Sequence, residues 1–191
     1  MTDTIVNPLT GYTLTFLEAT DELFQFREVA RPSTYGPALH VHPHQEERFL
    51  VTRGSMEFVM GSQKVVCHAG ESVAVPAGVP HTFLNAGDGE AEIIGEYRPG
   101  LPKASRRFFE VYFALARAGL TDAKGLPKIW QIAVEMPTMS DHVRLASPPW
   151  AVQRVVLALL RPIARLMGYR PFELERGNTA SGMVPGPHTS T

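Results

Sequence analysis

An all-β barrel or sandwich followed by a helical extension is the architecture this sequence predicts, and three observations predict it. Up to Pro99-Gly100, short segments rich in β-branched and aromatic residues alternate with turn residues. Beyond Gly100 the apolar residues recur at three- and four-residue steps, the period of a helix face. With 191 residues the chain can bury one core and carry an appendage, but it is short for two full domains.

The candidate strands are Thr13-Glu18, Leu23-Val29, Ala38-His42, Glu47-Thr52, Met56-Met60, Lys64-Cys67, Ser72-Val75, His81-Leu84 and Ala91-Tyr97. Gly54-Ser55, Gly61-Ser62, Ala69-Gly70, Ala77-Gly78 and the stretch AGDGE separate them, since these residues accept the backbone angles that tight turns demand. Lys103-Ala118 carries Phe108, Phe109, Tyr112, Phe113 and Leu115 on a broad helical face, and Gly119 is placed to end it. A short helix is expected over Lys128-Met136, between Pro127 and Pro137. A third follows Pro148-Pro149, with Val152, Val155, Val156, Leu159, Ile163, Leu166 and Met167 as its packing stripe and a kink at Pro162. The expected domains are a barrel over 1–99, a helical extension over 100–172 that packs on the barrel or at a dimer interface, and a disordered tail over 173–191.

Bulk composition removes several function classes. A formal net charge of -1 with 19% charged residues gives no basic field for nucleic acid. The single cysteine, Cys67, excludes an internal disulfide framework and suits a reducing compartment; beside His68 in a turn, it is expected to be an idle, packed thiol. The first twenty residues have neither the basic nor the apolar region of a signal peptide, and no apolar run reaches the roughly 18 residues a membrane span needs. A cytoplasmic location is the expectation.

Chemistry concentrates in the stretch HVHPHQEERFLVTRG, from His40 to Gly54. Alternate strand residues share a face, so His40 and His42 can aim both imidazoles at one point inside a barrel. Pro43-His44-Gln45 breaks the strand, and Glu47 opens the next with Phe49 and Val51 on its own face. A carboxylate following two imidazoles across such a turn can complete a three-sided ligand set. In GESVAVPAGVPHTFLN the Ala77-Gly78 turn delivers His81, a fourth candidate, to the start of a strand.

These residues resemble the cupin superfamily of RmlC-like jelly rolls. Its first motif, G-x5-H-x-H-x3,4-E-x6-G, is matched by His40, His42, Glu47 and Gly54, with Gly36 standing closer to His40 than the pattern asks. Its second, G-x5-P-x-G-x2-H-x3-N, is matched in full by Gly70, Pro76, Gly78, His81 and Asn85. A register using His44 would leave only two residues before Glu47, so His44 belongs to the loop. The resemblance implies a double-stranded β-helix holding a divalent metal through His40, His42, Glu47 and His81, with Asn85 supporting the barrel. Imidazole with one carboxylate suits Fe, Mn, Ni, Co, Cu or Zn and leaves positions open for water, oxygen or a chelating substrate.

The function expected from this set is a metal-dependent enzyme, in the first instance an oxygenase of the dioxygenase type. Its substrate would be a small, mostly apolar phenolic, enolic or diol compound, with Glu47 as ligand and base. The alternatives are an oxygen-independent isomerase or lyase and a non-catalytic binding module. Phe49, Val51, Met56, Phe58, Met60 and Phe83 are expected to line the pocket, and Arg48 and Arg53 to lie outside. Between Asp141 and Glu173 five arginines occur without an acidic residue, so the third helix, 149–168, could touch an anionic membrane. Its apolar stripe favours instead packing on the barrel or pairing in a homodimer.

Overall fold

The structure is a computed structural model that describes residues 3–122 and 125–173. From residue 174 onward, the expected tail lies outside the described residues. The elements run β1 (Thr4–Val6), β2 (Thr13–Ala19), β3 (Phe24–Ala30), β4 (His40–Val41), β5 (Glu46–Arg53), β6 (Ser55–Met60), β7 (Gln63–His68), β8 (Ser72–Val75), β9 (His81–Leu84), β10 (Ala91–Arg98), α1 (Pro102–Arg117), α2 (Ile129–Met139), β11 (Arg144–Leu145) and α3 (Trp150–Leu166). One antiparallel sheet has the order β1-β2-β3-β10-β5-β8 and the other β11-β4-β9-β6-β7, which together make the jelly-roll core.

Alternation decides which side chains enter that core. Along β5, Glu47, Phe49 and Val51 are buried while Arg48, Leu50 and Thr52 are exposed. β10 does the same with Ala91, Ile93, Gly95 and Tyr97. Gly95 is required by close approach: a Cβ there would stand 2.2 Å from Cζ of Phe26 on the neighbouring strand. Helix α1 is part of the same core, because Phe108, Phe109, Val111, Phe113 and Leu115 pack into one apolar cluster with the residues of both sheets. α2 and α3 build a second, smaller cluster around Ile132, Val134 and Leu157.

Several expectations are corrected. Two short strands are added: β1, and β11, which pairs Leu145 with His40 and Arg144 with Val41 and so joins the edge of the second sheet from within the extension. Cys67 is buried in β7 as its strand placement predicts, but the strand extends through His68, which is not in a turn. Helix α2 does not stop before Pro137 but runs through it to Met139. Proline removes one ladder donor, and the burial of Ala133 and Met136 before it and Met139 after it holds the helix together. α3 likewise continues past Pro162.

Of the two places expected for the α3 stripe, the barrel and a second subunit, the first is corrected. Gln153, Leu157 and Ala164 are its buried residues, whereas the expected packing stripe looks outward, with Val155 61%, Leu159 66% and Leu166 89% exposed. Helical periodicity identified one apolar stripe, but the face against α2 is a different apolar set, Leu157 and Ala164 with the partly buried Trp150 and Leu160. Among the described residues no helix is long and apolar enough to cross a membrane.

Candidate metal centre

Four side chains converge where β4, β5 and β9 meet. His40 pairs with His81 across β4 and β9, His42 follows β4 directly, and Glu47 enters from β5. The turn that delivers His81 is tied to the first histidine pair: Gly78, at a φ of 81°, donates its N–H to the His42 carbonyl at 2.9 Å. All four residues are buried, and one donor atom from each lies within 4.8 Å of every other. The strand expected over Ala38-His42 is regular only at His40–Val41, yet His42 still turns inward and is 2% exposed.

Each imidazole is oriented by a backbone carbonyl. Nδ1 of His40 donates to Ala38 O at 2.9 Å, Nδ1 of His81 to Val79 O at 2.9 Å, and Nδ1 of His42 to His142 O at 2.7 Å. A carbonyl only accepts, so each Nδ1 carries the hydrogen, and each ring, when neutral, turns an Nε2 lone pair toward the centre. The Nε2 atoms of His40 and His42 stand 3.2 Å apart, and Oε2 of Glu47 is 2.6 Å from Nε2 of His81 and 3.4 Å from that of His42. Lone pairs this close repel unless a proton or a cation lies between them. For bonds of about 2.1 Å, octahedral donors lie about 3.0 Å apart when adjacent and about 4.2 Å when opposite, so the donor set fits a single metal ion.

The electrostatics agree with that fit. Burial pushes the Glu47 carboxyl up, but His42, by charge and hydrogen bond, and His81 hold it well below the usual carboxylate range. His40 lies well below its ordinary value because of burial, then the charges of His81 and His42. For His81, burial works downward and is outweighed by the Glu47 hydrogen bond and charge, which leave it raised. The centre is thus an anion, Glu47, beside one imidazole that favours a proton, His81, and one that resists it, His40.

Around this group stand residues that sequence reasoning missed. His142 is fully buried with its ring 4.6 Å from that of His42, and its Nδ1 donates to Gln45 Oε1 at 2.6 Å. Gln45 Nε2 in turn donates to Pro99 O at 2.7 Å, anchoring the loop between the two sheets to the start of the extension. The Tyr97 ring packs 4.7 Å from that of His42, and its hydroxyl is held well above its ordinary pKa by burial first and then by the negative charge of Glu47. Nothing in the sequence marks His142, because it lies 100 residues from the histidine it supports. Tyr97 was readable as an inward residue of its strand, but its carboxylate partner was not.

Other expected positions divide. Asn85 supports the barrel: its Nδ2 donates to Ala30 O at 3.0 Å and Gly89 O at 2.8 Å. His44 is exposed in the bend, Glu46 pairs with Arg48 on the surface, and Arg53 pairs with Glu90 outside. The six expected pocket residues lie in the core. Phe49, Phe58 and Phe83 are packed ring on ring at 5.0 to 6.0 Å. With Val51, Met56 and the partly buried Met60 they fill the barrel core, and none of the six borders the apolar cavity beside His40. Strand parity correctly turned them inward, but inward here means core.

Comparison with known proteins finds the cupin-domain family over residues 26–95. The chain is 32% identical over 66 residues to polyketide synthase CurC of Streptomyces cyaneus, covering 35% of this chain and 43% of that protein. It is 33% identical over 64 residues to protein SchB of Streptomyces halstedii, covering 34% and 46%. The chain therefore spans less than half the length of these curated relatives. Among solved structures, a sugar phosphate isomerase of a cupin superfamily from Silicibacter pomeroyi aligns at 20% identity over 51% of this chain and 71% of its own, with a TM-score of 0.47. KdgF from Halomonas sp. aligns at 18% identity over 51% and 86%, with a TM-score of 0.46. The β-sheet core thus has a cupin fold, with residues 26–95 matching the cupin-domain family.

Proposed function

We propose that the chain is a metal-dependent enzyme, an oxygenase acting on a small, mostly apolar compound that carries a phenolic, enolic or diol oxygen. The observation that carries this reading is the tethering of all three imidazoles by backbone carbonyls, which leaves three Nε2 lone pairs and the Glu47 carboxylate facing one point. His40, His42, Glu47 and His81 would hold a divalent ion, either Fe, Mn, Ni, Co, Cu or Zn. When bound, that ion supplies Lewis acidity and open positions for a chelating oxygen.

The chain's own groups account for the remaining tasks. Glu47 Oε2 lies in the centre of the group and is kept ionised by its neighbours, which suits it to take a proton from a substrate hydroxyl. Tyr97, packed against the His42 ring at 4.7 Å, keeps its proton under the charge of this carboxylate. Phe49, Phe58 and Phe83 seal the barrel interior against water. The partial match to a protein named a polyketide synthase accords with an oxygenated carbon skeleton as substrate.

The test is oxygen uptake by protein reconstituted with each ion and offered a panel of monocyclic phenols, enols and diols. The expected result is uptake matched to substrate loss with at least one ion, absent in His81→Ala. Turnover of the same compounds under strict anaerobiosis would overturn the oxygenase and establish an isomerase or lyase instead.

A further inference from the structure

Beside His40 lies a cavity of about 100 Å³ that the strands of the barrel scarcely touch. Its walls are α1, through Phe108, Val111 and Leu115, and α2, through Ile132, Met136 and Met139. β11 closes one side with Leu145, and His40 is the one metal-centre residue on its border. Two charged residues also border it, and both are engaged elsewhere. The Glu135 carboxylate accepts from Gln131 at 3.0 Å, from Arg107 at 3.3 Å and from the Phe172 N–H. Arg144 donates to Ser140 O at 2.8 Å, and its guanidinium lies over the Trp150 ring at 4.5 Å.

A ligand in this space therefore meets hydrocarbon on nearly every side and an imidazole edge at one end. A charged group placed there would lose its hydration without gaining a partner, a cost of several kcal/mol. The size sets a second limit: an apolar cavity of about 150 Å³ accepts benzene, so this smaller one admits a single ring or a comparably compact skeleton at most.

We propose that this cavity binds the hydrocarbon part of the substrate: an uncharged, single-ring compound whose oxygen substituent is directed toward His40 and the metal centre. Substrate choice is then made by Val111, Leu115 and Met136 of the helical extension, and the barrel supplies the metal ligands alone. The word substrate rests on the function proposed above; the binding of an uncharged ring does not.

The experiment uses the full chain and two probes that share a ring and differ in charge, phenol and benzoate, followed by ligand-observed NMR at pH 7.5. Phenol should bind saturably and benzoate at least tenfold more weakly. Val111→Phe and Leu115→Phe, which fill the cavity, should abolish phenol binding while metal content and melting temperature stay at the wild-type values. Should both fail to fold, Met136→Ala decides: widened by the lost side chain, it should bind 2-naphthol, which the wild type excludes. Equal binding of benzoate, phenol binding unchanged in the folded filled variants, or no gain of 2-naphthol binding overturns the inference. Oxygen uptake that survives cavity filling would sink this inference and leave the proposed function standing. Phenol binding lost on filling in a chain that takes up no metal would sustain the cavity and sink the function.

Discussion

Two carboxylates are buried in the same barrel and meet opposite fates. Glu47 on β5 and Glu28 on β3 are 1% and 3% exposed, so both lose nearly all their hydration. Glu47 is surrounded by imidazoles and lies well below the usual carboxylate range despite burial. Glu28 is pushed up to about 8 by burial first and then by the charge of Glu47, and its Oε2 has no hydrogen-bond partner among the described residues. Burial costs the two acids alike, and their partners decide which remains a charged donor. Within one interior, Glu47 faces three imidazoles and Glu28 lies among Tyr12, Phe109 and Tyr112.

Removing each carboxylate in turn sharpens that contrast, and the largest effect belongs to Glu47. Glu47→Gln should weaken metal binding by roughly two to three orders of magnitude, the share of one ligand in a four-ligand site. Glu28→Gln should leave it within about twofold, the limit for a residue that is neither a ligand nor a ligand's partner. Competition with a fluorescent chelator measures both, and similar losses in the two variants would break the distinction.

Next comes the pH dependence that Glu28 imposes on stability. Its folded pKa of about 8 lies above the ordinary 4.5 of an unfolded chain, so between these values the folded state binds the extra proton. Stability from this group is therefore complete below pH 4.5 and lost as pH rises toward 8, on the order of a few kcal/mol in all. Denaturant unfolding from pH 5 to 9 should show Glu28→Gln gaining on the wild type as pH rises. Parallel curves would mean that Glu28 is ionised in the folded chain.

The smallest expected effect is that of Tyr97→Phe, which removes a buried hydroxyl that feels the charge of Glu47 without touching a metal donor. Loss of a supporting partner of this kind costs about tenfold in metal affinity, readable in the same chelator competition. An unchanged affinity would show that the three imidazoles alone fix the carboxylate.

Much of the barrel and all four metal-centre positions were legible because they depend on short-range rules. Alternation turned Glu47, Phe49 and Val51 inward, and the spacing of His40, His42, Glu47 and His81 set the donors apart from Glu28, which shares their inward parity. What stayed hidden depends on residues far apart in the chain. β11 reaches β4 only after α1 and α2 have intervened, and that return places the His142 carbonyl on His42. The cavity beside His40 is likewise made by two helices whose apolar faces announce burial but not what they bury against. α3 carries the same lesson in reverse, since Leu159 and Leu166 form a regular stripe that the described fold leaves exposed.

The central claim is that His40, His42, Glu47 and His81 hold a metal ion, and elemental analysis of untagged protein purified without chelators tests it most directly. The account predicts about one equivalent of a divalent transition ion in the wild type, lost in both Glu47→Gln and His81→Ala. A wild type that stays metal-free after anaerobic reconstitution with each candidate ion, or variants that retain its metal, would contradict it.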